Sequence, residues 1–122
     1  MAKVLVVEDE AFLSQALSDK LRKSGYEVET AMDGEMGLEK IRSFKPEVVL
    51  LDLLMPKKNG YAVLDEIKKD KTWKNLPIIV LSNFGEKTEI KKAKDLGAKD
   101  YYVKANVKLA DLVNKIKRYL PK

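Results

Sequence analysis

The acidic residues Glu8, Asp9 and Asp52 are the side chains of this chain best suited to bind an ion. Each follows an apolar run, since VLVV precedes Glu8-Asp9 and VVLL precedes Asp52. Carboxylates that lie close together repel one another, and a hard divalent cation relieves that repulsion. The chain has no His and no Cys, so every side-chain ligand would be an oxygen atom, as Mg²⁺ and Mn²⁺ prefer. We therefore expect these three carboxylates to bind Mg²⁺ or Mn²⁺.

Further polar residues follow two other apolar runs. Ser82-Asn83 come directly after PIIVL, and Lys104 comes directly after DYYV. In open parallel sheets, ligands bind outside the carboxyl ends of the strands, where such residues meet. Taken alone, Glu8-Asp9 could equally be an acidic start to the first helix, and Lys104 could be an ordinary surface lysine. Their common position after strands favours a shared site instead.

Alternating strands and helices must position these side chains. Short apolar runs rich in Val and Ile are typical of strands buried on both faces of a sheet, whereas the segments between them have helical spacing of apolar residues. The first helix, for example, has Phe12, Leu17 and Leu21 at this spacing, and Gly25 and Gly97 fit left-handed helix ends. Strands are expected at 3–7, 26–31, 47–51, 77–81 and 100–103, and helices at 11–23, 35–44, 61–71, 86–96 and 107–120.

These five βα units predict a doubly wound α/β fold, a parallel sheet with helices on both faces. The chain has 122 residues, so we expect one domain spanning 1–122. No apolar run approaches the length of a membrane span and no secretory signal is visible, which favours a cytoplasmic protein. The net charge of +5 fits solvated helix faces. Direct binding to nucleic acid is not expected, because no recognition motif accompanies the charge.

Four motifs together resemble the receiver domain of two-component response regulators. They are VVEDE, LLDLLMPKKNG, VLSN and DYYVKA, in which Met55-Pro56 and Gly60 match the family's loop after Asp52. The resemblance implies a flavodoxin-like strand order 2-1-3-4-5. It also implies that Asp52 accepts a phosphoryl group from a phosphohistidine on a sensor histidine kinase or phosphotransfer protein. Glu8 and Asp9 would be metal ligands, and Lys104 and Ser82 would contact phosphoryl oxygens.

The same resemblance implies a switch rather than an enzyme with its own substrate, apart from slow self-dephosphorylation. Ser82 would move toward the phosphoryl group, and the ring of Tyr101 would respond, with Tyr102 facing the other side of its strand. Alternatively, Tyr101 is only a packed edge residue. The signal would leave through the face formed by 86–96, 100–103 and 107–120, which would bind an output protein or a second copy of the chain.

The sequence departs from the family pattern around Asp52 and Lys104. Ala105 stands where a proline usually follows the lysine, so we expect a trans bond or a strained loop there. Asn83 replaces a small residue and would narrow access for small phosphodonors. Leu54 and Phe84 are apolar and would exclude attacking water, which predicts a long-lived phosphoryl group.

Three other functions are consistent with parts of the pattern. The chain could be the receiver part of a longer DNA-binding response regulator, or a scaffold receiver that is never phosphorylated. A flavodoxin-like binder of small molecules shares the architecture, but it normally has a phosphate-binding loop after the first strand. The acidic run Glu8-Asp9-Glu10 would repel phosphate there in the absence of metal.

Overall fold

The computed structural model describes residues 2–55 and 57–120. Pro56, which the sequence places in the loop after Asp52, lies outside the described residues. Five strands alternate with five α-helices along the chain. The strands are β1 (Lys3–Val7), β2 (Glu27–Ala31), β3 (Val48–Leu51), β4 (Ile78–Ser82) and β5 (Asp100–Val103). The helices are α1 (Ala11–Lys23), α2 (Gly34–Phe44), α3 (Gly60–Lys68), α4 (Lys87–Asp95) and α5 (Leu109–Ile116).

All five strands form one parallel sheet in the order β2-β1-β3-β4-β5. The expected strand order and fold class are therefore confirmed. Val7 pairs with Ala31 on one side and with Leu51 on the other, and Val80 pairs with Leu51 and Tyr101. This register brings the carboxyl ends of β1, β3, β4 and β5 to one edge of the sheet.

Helices cover both faces of the sheet, and each face has its own apolar core. α1 and α5 pack on one face, where the core contains Val4, Val6, Leu17, Leu21, Leu50, Leu112 and Ile116. The other three helices pack on the opposite face, over Leu5, Val7, Leu38, Leu51, Leu64, Val80 and Ala93. Alternate residues of one strand enter different cores because successive side chains of a strand point to opposite faces.

Phe12 does not join the buried stripe of α1, contrary to the expectation from its spacing. It is 90% exposed, whereas the buried residues of the helix are Ser14, Leu17, Ser18 and Leu21. Phe12 lies five residues before Leu17, which places it about 140° around the helix from that residue. Its side chain therefore points away from the sheet.

Two helices are shorter than their apolar patterns suggest. α3 ends at Lys68 rather than near 71, because Asp70 begins a turn in which its carboxylate accepts the backbone N–H of Thr72 at 2.9 Å. α5 begins at Leu109 and ends at Ile116. A 3₁₀ turn at Lys104–Asn106 precedes it, and another at Lys117–Tyr119 follows it.

The two glycines expected at left-handed helix ends adopt that conformation in the structure. Gly25 and Gly97 have φ angles of 95° and 110°, which few residues other than glycine adopt readily.

Within 2–55 and 57–120, no helix combines the length and the apolar character that crossing a bilayer would demand.

Candidate functional site

Glu8, Asp52, Ser82 and Lys104 meet at the carboxyl edge of the sheet. Glu8 and Asp52 directly follow β1 and β3, and the backbone N–H of Asp52 donates to the carbonyl of Val7 at 2.9 Å. Ser82 ends β4 and pairs in register with Val103, the last residue of β5, so Lys104 comes directly after the end of that neighbouring strand. Buried apolar strands thus fix the backbone from which each of these polar side chains extends.

Carboxylate oxygens of Glu8, Asp9 and Asp52 lie within 4.8 Å of one another. Glu8 and Asp52 are buried, and Asp9 is half-buried and open to solvent. The donor set consists of oxygen atoms only, which suits a hard divalent cation such as Mg²⁺ or Mn²⁺. The acidic group expected from the sequence therefore converges in the fold and fits such an ion.

Crowding within this group alters the acidity of Asp52. Burial raises the pKa of the Asp52 carboxyl, and the neighbouring Glu8 carboxylate raises it further. The Lys104 ammonium and the backbone N–H of Leu54 oppose these effects, and the pKa reaches about 7. Because two close carboxylates in a buried site disfavour double ionisation, a cation that bound there would favour the ionised form of Asp52.

Lys104 is the positive charge of the site. Its Nζ lies 2.9 Å from Glu8 Oε1 and 3.5 Å from Asp52 Oδ2. Burial alone would lower the pKa of the Lys104 ammonium, but hydrogen bonds to Glu10 and Glu8 and the charge of Asp52 raise it above its usual value. The charged form of Lys104 is therefore favoured beside Asp52, and its side chain is only 11% exposed, unlike that of a surface lysine.

The two oxygens of Asp52 have different partners. Asp52 Oδ1 accepts the backbone N–H of Leu54 at 3.3 Å, while Oδ2 faces Lys104. The side chain of Leu54 itself is 56% exposed. This asymmetry orients the carboxylate plane relative to the lysine.

Ser82 and Tyr101 both contact the peptide groups of Phe84. The Ser82 hydroxyl oxygen accepts the Phe84 N–H at 3.1 Å, and the Tyr101 hydroxyl donates to the Phe84 carbonyl at 2.7 Å. Ser82 and Tyr101 are buried, and Tyr102 is half-buried and packs against the core on the other face of the sheet. Asn83 is exposed and Phe84 is half-buried against the core.

The bond between Lys104 and Ala105 is trans, as are the other peptide bonds of the described ranges 2–55 and 57–120. Ala105 lies in the 3₁₀ turn Lys104–Asn106. The expectation of a trans bond at this position is confirmed.

The sequence placed Glu10 in an acidic run and Gly60 in the family's loop after Asp52, but it did not predict the contacts that these two residues make. Glu10 Oε2 lies 2.9 Å from Lys104 Nζ, although only the acidic run that contains Glu10 was evident from the sequence. Gly60 packs against the backbone of the Asp52 turn. A Cβ atom there would overlap the Asp52 carbonyl oxygen and lie 2.7 Å from Leu53 Cα. The NG pair Asn59-Gly60, at the start of α3, was the available signal for this close approach.

Curated relatives support one family. The chain is 44% identical over 102 residues to a probable transcriptional regulator, ycf27, of Guillardia theta, and the match covers 84% of the chain and 39% of the relative. It is 40% identical over 105 residues to the chemotaxis protein CheY of Treponema pallidum, with 84% of the chain and 72% of the relative covered. The chain spans about two fifths of the length of the ycf27 relatives.

Solved structures give the same result. The receiver domain of the Francisella response regulator 1452 superposes with a TM-score of 0.90 at 25% identity, covering 98% of this chain and 96% of that one. The Mn²⁺-bound form of response regulator Rcp1 gives 0.83 at 25% identity and covers both chains completely, at 100% each. Residues 4–117 match the family model of the response regulator receiver domain. With its parallel sheet and its acidic edge, the chain belongs to the response regulator receiver domain family of two-component signalling.

Proposed function

We propose that the chain is a phosphorylation-dependent switch in which Asp52 accepts a phosphoryl group from a phosphohistidine on a sensor histidine kinase or phosphotransfer protein. The observation that carries the proposal is the placement of Asp52. It is a buried carboxylate that lies close to two further acids and to the ammonium of Lys104. In the transfer, an oxygen of Asp52 forms a bond to phosphorus while the bond from phosphorus to the imidazole nitrogen breaks. The imidazole leaves with that electron pair.

The side chains around Asp52 supply orientation and charge. A carboxylate is a weak nucleophile, so catalysis depends on in-line positioning and on neutralising the transferring group. The Leu54 N–H holds one oxygen of Asp52. Lys104, 3.5 Å from the other oxygen, is placed to contact a phosphoryl oxygen, and the Ser82 hydroxyl to donate to another.

Glu8, Asp9 and Asp52 are the residues that would hold Mg²⁺ or Mn²⁺. The ion would supply positive charge to the carboxylates and the phosphoryl oxygens when bound. The Mn²⁺-bound form of the similar regulator Rcp1 supports this assignment.

Ser82 and Tyr101 form the proposed switch. Both hold the peptide groups of Phe84, so a Ser82 hydroxyl that turns toward a phosphoryl oxygen loosens the loop that leads into α4. Tyr101 then adjusts to the new position of Phe84. The readout is a shift in the population of two arrangements of the face formed by 86–96, 100–103 and 107–120. This face would bind an output protein or a second copy of the chain.

A receiver domain spanning 1–122 can serve alone or as part of a larger protein. The ycf27 relatives are named as probable transcriptional regulators, and the chain spans only 39% of the first of them. This observation favours a second candidate, in which the chain is the receiver part of a longer DNA-binding response regulator. Asp52 would have the same role in both cases. A scaffold receiver that is never phosphorylated is the alternative that the following experiment addresses.

The experiment is phosphorylation by acetyl phosphate with Mg²⁺, followed by intact-mass measurement. The wild-type chain should gain the mass of one phosphoryl group, and Asp52→Asn should gain none. Asp65→Asn is the matched control. Asp65 is an exposed carboxylate on α3, and it pairs with Lys69, the C-terminal cap residue of that helix. A wild-type chain that gains no mass from acetyl phosphate or from a phosphohistidine donor would contradict the proposal.

A further inference from the structure

The ammonium of Lys104 is shared among three carboxylates. Its Nζ lies 2.9 Å from Glu8 Oε1, 2.9 Å from Glu10 Oε2 and 3.5 Å from Asp52 Oδ2. An ammonium has three N–H donors and no more. A phosphoryl oxygen that arrives on Asp52 can therefore bind Lys104 closely only by displacing one of these partners.

Exposure decides which partner is displaced. Asp52 carries the phosphoryl group and stays beside Lys104, so the choice lies between Glu8, whose side chain is 3% exposed, and Glu10, whose side chain is 57% exposed. A buried carboxylate that loses its partner remains without hydration, which is unfavourable. Glu10 can exchange Lys104 for water with little loss. Of the three contacts, the one with Glu10 is the easiest to break.

Glu10 directly precedes α1, and its carboxylate is available to bind Lys104. Glu10 is the N-terminal cap residue of α1, yet its side chain makes no capping hydrogen bond. Its backbone N–H donates to Glu8 Oε2 at 3.0 Å. The backbone of Glu10 is thus tied to the acidic site, while its carboxylate reaches across to the turn after β5.

We infer that Glu10 is a positioning residue that holds Lys104 before phosphorylation and is replaced on the ammonium by a phosphoryl oxygen. The inference rests on the proposed function of Asp52 and extends it. Glu10 competes with the phosphoryl group for Lys104, so it slows phosphorylation. Removing the charge of Glu10 should weaken its contact with Lys104, so that a phosphoryl oxygen can take the third N–H donor more readily.

The first measurement is the rate of phosphorylation by acetyl phosphate in Mg²⁺ buffer, followed by intact mass. Glu10→Gln should react roughly twofold to fivefold faster than wild type, the effect expected from a half-exposed ion pair. Glu66→Gln is the matched control, since Glu66 is 42% exposed and pairs with Lys58 and Arg42 on the surface. This control should react at the wild-type rate.

A double-mutant cycle distinguishes a contact with Lys104 from general repulsion of the anionic donor. In a Lys104→Met background, Glu10→Gln should no longer change the rate of phosphorylation, because the ammonium for which Glu10 and the phosphoryl group compete is absent. An equal acceleration with and without Lys104 would overturn the inference. Circular dichroism checks that each variant folds, and Lys104→Gln replaces Lys104→Met if the latter does not. The same double-mutant cycle can be measured a second time through the affinity of these proteins for beryllofluoride in the presence of Mg²⁺.

The outcomes separate the inference from the proposal on which it rests. If wild type gains a phosphoryl group and Glu10→Gln is no faster, the role of Glu10 is refuted and that of Asp52 stands. If wild type gains none, the proposed function fails and the role of Glu10 fails with it.

Discussion

Replacing Asp52 by Asn should stabilise the metal-free protein in a pH-dependent manner. Asn has nearly the shape of Asp and carries no charge. It therefore removes the repulsion with Glu8 while Lys104 keeps its contacts with Glu8 and Glu10. The test needs a metal-free buffer, because a divalent cation would offset the same repulsion.

The magnitude follows from the raised pKa of Asp52. In the folded chain the pKa is about 7, against 3.8 for an ordinary aspartate. Between these two pH values the folded chain binds one proton more than the unfolded chain, so the stability of wild type falls as pH rises. At 1.36 kcal/mol per pKa unit, the difference between the two pKa values corresponds to about 4 kcal/mol in the free energy of unfolding. The amide that replaces the carboxyl has no proton to lose, so the advantage of Asp52→Asn should grow from near zero at pH 4 to about 4 kcal/mol at pH 8.

The assay is urea unfolding of both proteins at several pH values in the presence of a chelator, followed by circular dichroism. Asp65→Asn is the control and should track wild type at every pH. Adding Mg²⁺ at pH 8 should narrow the gap between Asp52→Asn and wild type, by about 2.7 kcal/mol at 100 times the dissociation constant.

A gap that stays constant from pH 4 to pH 8, or that closes as pH rises, would contradict a raised pKa of Asp52. The first result would mean that Asp52 titrates normally in the folded chain. The second would mean that Lys104 outweighs both burial and Glu8 in setting the charge of Asp52.

Four further changes test other parts of the fold and the site. Gly60→Ala should destabilise the chain by about 1–3 kcal/mol in thermal or urea unfolding, because its Cβ would overlap the Asp52 carbonyl oxygen. Gly85→Ala is its control, since a Cβ there meets nothing closer than 3.7 Å, and equal losses would contradict the steric argument. Asn59→Ala should lower stability by about 1 kcal/mol, because the Asn59 side chain caps α3 by accepting the Ala62 N–H at 3.0 Å; no loss of stability on urea unfolding would show that this cap is not needed. Tyr101→Phe deletes the hydroxyl that donates to the Phe84 carbonyl; it should change how strongly phosphorylation alters partner binding or dimerisation, whereas an unchanged response in a calorimetric titration would leave Tyr101 as a packing residue. Leu54→Ala should shorten the lifetime of the phosphoryl group because water gains access to Asp52, and decay of the phosphorylated mass at the wild-type rate would contradict that shielding role.

The strand positions could be predicted because their side chains leave few alternatives. Runs such as Val4 to Val7 are apolar on both faces and become stable only inside a covered sheet. Once those strands lie parallel, the residues after them must meet at one edge, which is why Glu8, Asp52 and Lys104 were found together from sequence. The family resemblance supplied the strand order.

The missed features depend on long-range geometry. Glu10 contacts Lys104, 94 positions later in the chain, and helical or strand spacing carries no information about such a rotamer. Phe12 matched an apolar spacing but faces solvent, because the direction in which α1 packs is set by Leu17 and Leu21. The end of α3 depends on a local turn at Asp70 that competes with helical hydrogen bonding.

The contacts of Phe84 have a consequence for how this protein can change during evolution. Ser82 and Tyr101 hold its N–H and its carbonyl, groups that nearly every amino acid provides. In the proposed switch, the side chain at position 84 therefore makes neither of the two hydrogen bonds that join Ser82 and Tyr101 to this residue. Substitutions of that side chain should therefore leave both backbone contacts in place. The proposed switch thus places no requirement on the side chain at position 84 beyond its packing against the core.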